Sequence, residues 1–101
     1  RQGPPTTIDN DFVKALAEPA RVAILKELLV LKESNVKALS ERLPQDRSVI
    51  SRHLSLMEKS GLLKVKKEGR DKIYSIDGEQ TLAKAEQLVE TIRQCVKAGC
   101  C

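Results

Sequence analysis

Three thiols fall within the last seven residues of "IRQCVKAGCC": Cys95, Cys100 and Cys101, the only cysteines in the chain. Thiolates are soft donors and select soft ions. Neighbouring cysteines suit structural zinc poorly, because its paired ligands usually have about two to four residues between them and it takes a fourth donor. A trivalent arsenic or antimony centre needs only a pyramid of sulfurs, its lone pair filling the open side. Other thiophilic ions (cadmium, lead, zinc) are the alternative, and so is oxidation to a disulfide with no ion at all. Cys95 also has a plainer reading as a small apolar residue of a helix interface, one turn beyond Leu88 and Ile92. Cys100 and Cys101 follow Gly99, where packing gives no reason for thiols. A glycine there would let the tail turn back toward Cys95, within one subunit or across a dimer.

A second chemistry lies in "PQDRSVISRHLSLMEKSG". Ile50, Leu54 and Met57 follow helical spacing, so they face inward. The opposite face then carries Ser48, Ser51, Arg52, Ser55 and Lys59, with Arg47 at the amino end. Small hydroxyls let a helix backbone approach base edges in a major groove, and arginine can grip guanine with two hydrogen bonds. Lys59 suits phosphate. A solvated amphipathic helix would share this face, and the next segment decides between the two. In "LLKVKKEGRDKIYSID" the cations Lys64, Lys66, Lys67, Arg70 and Lys72 crowd a short hairpin opposed only by Glu68 and Asp71. That clustering is the electrostatic footprint of duplex DNA binding, with Lys66, Lys67 and Arg70 as the candidate wing contacts. His53, the one histidine, sits beside the apolar side of the helix and is expected to serve the fold rather than bind a ligand.

The elements that must position these residues are legible in outline. Residues 1–10, with Gly3, Pro4 and Pro5, read as a flexible arm. Residues 11–98 read as one domain, and residues 99–101 as a cysteine-containing tail. Phe12, Ala15 and Leu16 mark a first helix, and Pro19 either ends it or begins the next helix at its first turn. Ala20–Leu31 forms a second, with Val22, Leu25, Leu28 and Leu29 on one face. Val36, Leu39 and Leu43 mark a short third helix stopped by Pro44, and Asp46 is placed to cap the fourth. Two short helices joined by a tight turn make a helix-turn-helix. Leu63 and Val65, then Ile73 and Ser75 with Tyr74 and Ile76 opposite, suggest two strands joined at a tip containing Gly69. A hairpin in that place is a wing. From Glu79, Leu82, Ala85, Val89, Ile92 and Val96 step by alternating threes and fours, a seam of the kind that packs on a second helix. The fold class is therefore mainly α with a small β-hairpin, a winged helix-turn-helix dimerising through its terminal helices.

Composition bounds the rest. The chain has 101 residues, 41% hydrophobic and 32% charged, with Phe12 and Tyr74 its only aromatics. A core so poor in large side chains gains from a partner subunit. A formal charge of +4 favours a polyanion. The apolar run "VAILKELLVL" is broken by Lys26 and Glu27, so no membrane span and no signal peptide is expected, and an odd cysteine count fits reduced thiols in the cytoplasm. A lone histidine with no acidic orienter, and cysteines on a tail, build no nucleophilic triad, so no enzyme is expected. A protein-interaction module without DNA function would leave the loaded wing unexplained.

The stretches "LAEPARVAILKELL", "VKALSERLPQDRSVISRHLSLMEKSGLL" and "KKEGRDKIYSI" together resemble the ArsR/SmtB family of bacterial winged-helix repressors, from about Asp11 to Gln94. The resemblance implies a homodimer built by the first and last helices, a double-stranded operator with two-fold symmetry, and release from DNA when an effector binds. It also marks departures. Arsenic-sensing members carry a Cys-Val-Cys pair at the start of the third helix, where this chain has "SNVKALSERL". Members that bind zinc, cobalt or nickel use Asp and His on the last helix, and "EQTLAKAEQLVETIRQ" has neither. Only Cys95, Cys100 and Cys101 remain as a metal site, for As(III) or Sb(III).

Overall fold

The computed structural model describes residues 8–99. Helix boundaries follow the capping chemistry of the sequence. Asp9 accepts from Phe12 N and opens α1 (Asn10–Leu16), so this helix begins just inside the stretch read as an arm. Residues 1–7 of that arm, and Cys100 and Cys101, lie outside the described residues. Pro19 occupies the first turn of α2 (Pro19–Leu31), where its missing N–H costs nothing. Asn35 caps α3 (Val36–Arg42) and Asp46 caps α4 (Arg47–Lys59), each accepting from the backbone N–H three residues on. Asp77 caps α5 (Gly78–Ala98), which ends at Gly99 with φ of 76°.

The strands differ from expectation in two ways. Lys32 turns the chain through a positive φ into β1 (Glu33–Ser34), which pairs with β3 (Asp71–Ile76). The sheet is therefore three-stranded in the order β1-β3-β2, with β2 spanning Leu63–Glu68. A two-residue strand has no periodicity to reveal it. Its register also sets Leu63 opposite Ile76 and Val65 opposite Tyr74, so Tyr74 and Ile76 face the core and Ile73 and Ser75 do not. The hairpin turns at Gly69–Arg70, where Gly69 supplies the positive φ that the first central residue of a tight reversal requires.

One core joins these elements: Phe12 and Ala15 from α1, Ile24 and Leu28 from α2, Leu39 from α3, Ile50, Leu54 and Met57 from α4, then Leu62, Leu63 and Tyr74. On α2 the inward face runs through Ile24 and Leu28, with Leu25 partly buried. Leu29, expected inside, is 67% exposed. The foot of α5 rests on the end of α4: Leu62 O accepts from Asp77 N at 2.9 Å and from Thr81 Oγ1 at 3.1 Å. The approach is close enough that a Cβ at Gly61 would lie 2.7 Å from Gln80 Oε1 and 2.8 Å from Lys84 Cε. Lys84 pairs with the Asp9 carboxylate, fastening α5 to the cap of α1.

Candidate nucleic-acid interface

Helix α4 has two faces. Ile50, Leu54 and Met57 are fully buried, and this fixes the outward direction of Arg47, Ser48, Ser51, Arg52, Ser55 and Lys59, all exposed. The cap holds the amino end in place. Asp46 Oδ1 accepts from Val49 N at 3.0 Å and from Ser48 Oγ at 2.9 Å, and these hydrogen bonds hold its carboxyl below the usual range. Ser48 therefore reaches any groove already hydrogen-bonded to the cap. Farther along, Ser51, Arg52, Ser55, Leu56 and Lys59 line a shallow depression of about 380 Å³. Leu56, 42% exposed, belongs to this surface and was not anticipated; it offers the apolar contact that suits a thymine methyl. Reading it from sequence required knowing that Leu56 lies off the Ile50–Leu54–Met57 stripe.

The wing stands beside α4 through Tyr74. Burial raises the pKa of this phenol and the neighbouring Glu58 carboxylate adds to the rise, with the nearby Ser55 side chain opposing it. The wing cations are not equivalent. Lys66 Nζ lies 3.3 Å from Glu33 and 3.2 Å from Glu68, and the hydrogen bonds it donates, to Glu68 first and then to Glu33, hold its ammonium above the usual lysine range. Lys67 and Arg70 are exposed and enter no ion pair among the described residues.

His53 lies on the flank of α4, half-buried. Arg21 donates from Nη1 toward His53 Nδ1 at 3.4 Å, from Nε to Ala15 O at 2.9 Å and from Nη2 to Lys14 O at 2.9 Å. One guanidinium therefore closes the open carbonyl end of α1 and holds the recognition helix to it. Burial, then the neighbouring Arg21 charge, push the His53 pKa down; Glu18 opposes this and Arg52 adds to it. The neutral ring accepts from Arg21, a structural duty that the sequence signalled only by type.

At the far end of α5, Cys95 is half-buried and disulfide-bonded. The other two expected sulfur donors lie outside the described residues. Among the described residues no group of three or more His, Cys, Asp or Glu side chains could hold a metal ion. No helix among the described residues is long and apolar enough to cross a membrane.

A buried-faced helix with an exposed Ser/Arg face, following a short helix and followed by a basic hairpin, is the architecture that comparison with known proteins returns. A family model described as a helix-turn-helix domain matches residues 16–66. An uncharacterized HTH-type transcriptional regulator of Mycobacterium tuberculosis is 34% identical over 86 residues, 81% of this chain and 75% of that protein. The chain belongs to the ArsR family of helix-turn-helix transcriptional regulators. The transcriptional activator HlyU of Vibrio cholerae is similar as well, 34% identical over 76% of this chain and 70% of its own. Reduced HlyU of Vibrio cholerae superposes with a TM-score of 0.63 at 33% identity, over 78% of this chain and 80% of that one. A possible transcriptional regulator for arsenical resistance superposes with a TM-score of 0.70 at 33% identity, over 81% of this chain and 83% of that one. As an ArsR-family regulator the protein binds double-stranded DNA, and its family is one of regulators rather than enzymes.

Proposed function

We propose that the protein is a homodimeric transcriptional repressor of the cytoplasm that holds a two-fold-symmetric operator and lets go when its carboxyl-terminal thiols capture arsenite or antimonite. The observation that carries the DNA part is the outward face of α4 standing next to a wing whose Lys67 and Arg70 have no acidic partner among the described residues. Arg47, Ser48, Ser51, Arg52, Ser55 and Lys59 meet the major groove, and Lys66, Lys67 and Arg70 meet the flanking backbone. Dimerisation is supported by α5, whose Leu82, Val89, Ile92 and Val96 are each about half exposed or more. Two copies joined there carry two recognition helices, which must reach half-sites about 34 Å apart.

The effector part rests on Cys95. It lies on the same helix as the apolar seam and is disulfide-bonded. When reduced, Cys95, Cys100 and Cys101 supply the soft pyramidal donor set; arsenous acid then exchanges its hydroxyls for thiolates and releases water. Similarity to a possible regulator for arsenical resistance supports this choice. Capture at the end of α5 would shift the paired helices and spoil simultaneous docking of both recognition helices.

The disulfide of Cys95 also favours a second reading, thiol oxidation as the signal, in which two thiols lose two protons and two electrons to a peroxide or polysulfide. One titration separates the two. Reduced protein bound to a duplex selected from a random pool is challenged with arsenite, antimonite, cadmium, lead, zinc and hydrogen peroxide, alongside Cys95→Ser, Cys100→Ser, Cys101→Ser and the triple variant. Release by trivalent arsenic or antimony, lost in the triple variant, is the expected result. Release by peroxide alone transfers the function to the redox reading, and an unaltered response in the triple variant ends both.

A further inference from the structure

A groove of about 420 Å³ lies between α1 and the last turns of α4. Asp11 and Lys14 line it from α1, Ala17 from the end of that helix, Arg21 from α2, and Leu56 and Lys59 from α4. Small-molecule sites usually hold about 300–1,000 Å³, so the volume is of the right order. A packed helix about 10–12 Å across would fill it with a single turn, which favours a small ligand over a partner helix. The lining has two characters. Ala17 and Leu56, the latter 42% exposed, offer carbon surface, and the methylene stems of Lys14 and Lys59 add to it. Three cations then face the single carboxylate of Asp11.

Arg21 holds the most constrained of those charges. Its guanidinium is half-buried and donates to the Lys14 and Ala15 carbonyls and toward the His53 ring, none of which is an anion. Those bonds use three of its five N–H groups and leave two for a ligand. A side chain already fixed in this way loses little further freedom on binding. None of Lys14, Arg21 and Lys59 forms an ion pair among the described residues. Clustered cations with so little acid repel one another in the folded chain. An anion with an apolar body would offset that repulsion and cover Leu56 in one step.

We propose that this groove binds a small organic anion, an aryl or branched-chain carboxylate, with its carboxylate on Arg21 and Lys14 and its apolar body against Ala17 and Leu56. No thiol takes part, so the site is separate from the cysteines of the carboxyl terminus. Leu56 and Lys59 also belong to the surface proposed to meet DNA, and an occupied groove would therefore compete with a duplex. That consequence rests on the DNA reading, whereas the binding itself does not.

An amide proton–nitrogen correlation titration of the reduced full chain tests it, with sodium benzoate, phenylacetate and isovalerate at constant ionic strength. Benzyl alcohol, which lacks the charge, and acetate, which lacks the body, are the controls. Saturable shifts at the Ala17, Arg21, Leu56 and Lys59 amides are expected, in the millimolar range that so few ligand atoms support. Lys14→Ala should weaken benzoate binding about threefold, as loss of an exposed charge contact does. Ala17→Phe should abolish it by filling the groove, and Lys26→Ala, an exposed cation on α2, should leave it unchanged. Circular dichroism melting checks that each variant folds. Absence of saturable shifts with all three acids overturns the proposal. So does equal binding of benzyl alcohol or of acetate, or undiminished benzoate binding in Ala17→Phe. Shifts of the same amides with protein concentration alone would mean that a second copy fills the groove, and overturn it too. Anisotropy of a labelled duplex then reads the consequence: benzoate should weaken duplex binding in proportion to its occupancy in the wild type and not in Ala17→Phe. Benzoate bound without effect on the duplex overturns the competition. A wild type that binds no duplex at all means that the DNA reading fails while the site stands.

Discussion

Helices α4 and α5 carry the same kind of signal, an apolar stripe at helical spacing on an otherwise polar rod, and they end up in opposite circumstances. Ile50, Leu54 and Met57 of α4 are fully buried by the chain's own core. No residue of α5 is buried, and its Leu82, Val89, Ile92 and Val96 face solvent. The stripe states that something must cover it; it does not state what. In α4 the cover is intramolecular, so the outward face is fixed before DNA arrives. In α5 only the foot is fastened, through Thr81, Lys84 and the cap at Asp77, while the rest extends from the body. The fully covered region is the one proposed to read DNA, and the incompletely covered one is the region where the proposed association and signalling would act.

Breaking the α5 side should have the largest consequence for function. Val89→Asp combined with Ile92→Asp places charges on the seam and should leave a folded monomer that engages one half-site. Affinity for a selected duplex should drop by at least roughly a thousandfold, the usual gap between specific and non-specific binding, as read by fluorescence anisotropy. Leu54→Ala attacks the covered stripe instead and should cost about 3 kcal/mol in urea unfolding, because the space it vacates is enclosed on every side. Between the two regions stands Arg21. Arg21→Ala removes a charged donor from Lys14 O, Ala15 O and His53, and should cost about 2 kcal/mol by the same measurement while lowering duplex affinity through a loosened α4.

The smallest effect is a pH dependence. The folded-state pKa of His53 lies below its ordinary value of 6.5, so the unfolded chain takes up a proton first as pH falls. Its contribution is constant above pH 6.5 and is lost on descending from there to the lower folded value, below which it is flat again. Melting temperature should therefore fall across that window in the wild type, and His53→Gln should remove that part of the slope.

Much of this was legible in the residues because local chemistry decides it. Pro19, Asn35, Asp46 and Asp77 set helix starts through caps that a sequence displays openly, and Gly69 marks the hairpin turn. The outward side of α4 followed from three apolar residues. What escaped notice depended on tertiary partners. β1 exists because β3 passes beside Glu33 and Ser34, and the inward side of β3 is set by its register with Leu63 and Val65. Leu29 stays outside because the core meets α2 along Ile24 and Leu28. The groove at Arg21 joins residues far apart in the chain, and the pairing of Lys66 with Glu33 depends on the unforeseen strand. The cysteine reading rests on sulfur type and spacing, with Cys95 alone among the described residues.

Sedimentation of the reduced protein with an excess of selected duplex tests the central claim most directly, because it reports DNA binding and chain count together. The account predicts a complex containing two chains, twice the 11.2 kDa monomer, on each duplex. A single chain per duplex, or free protein and free DNA at micromolar concentration, would contradict it.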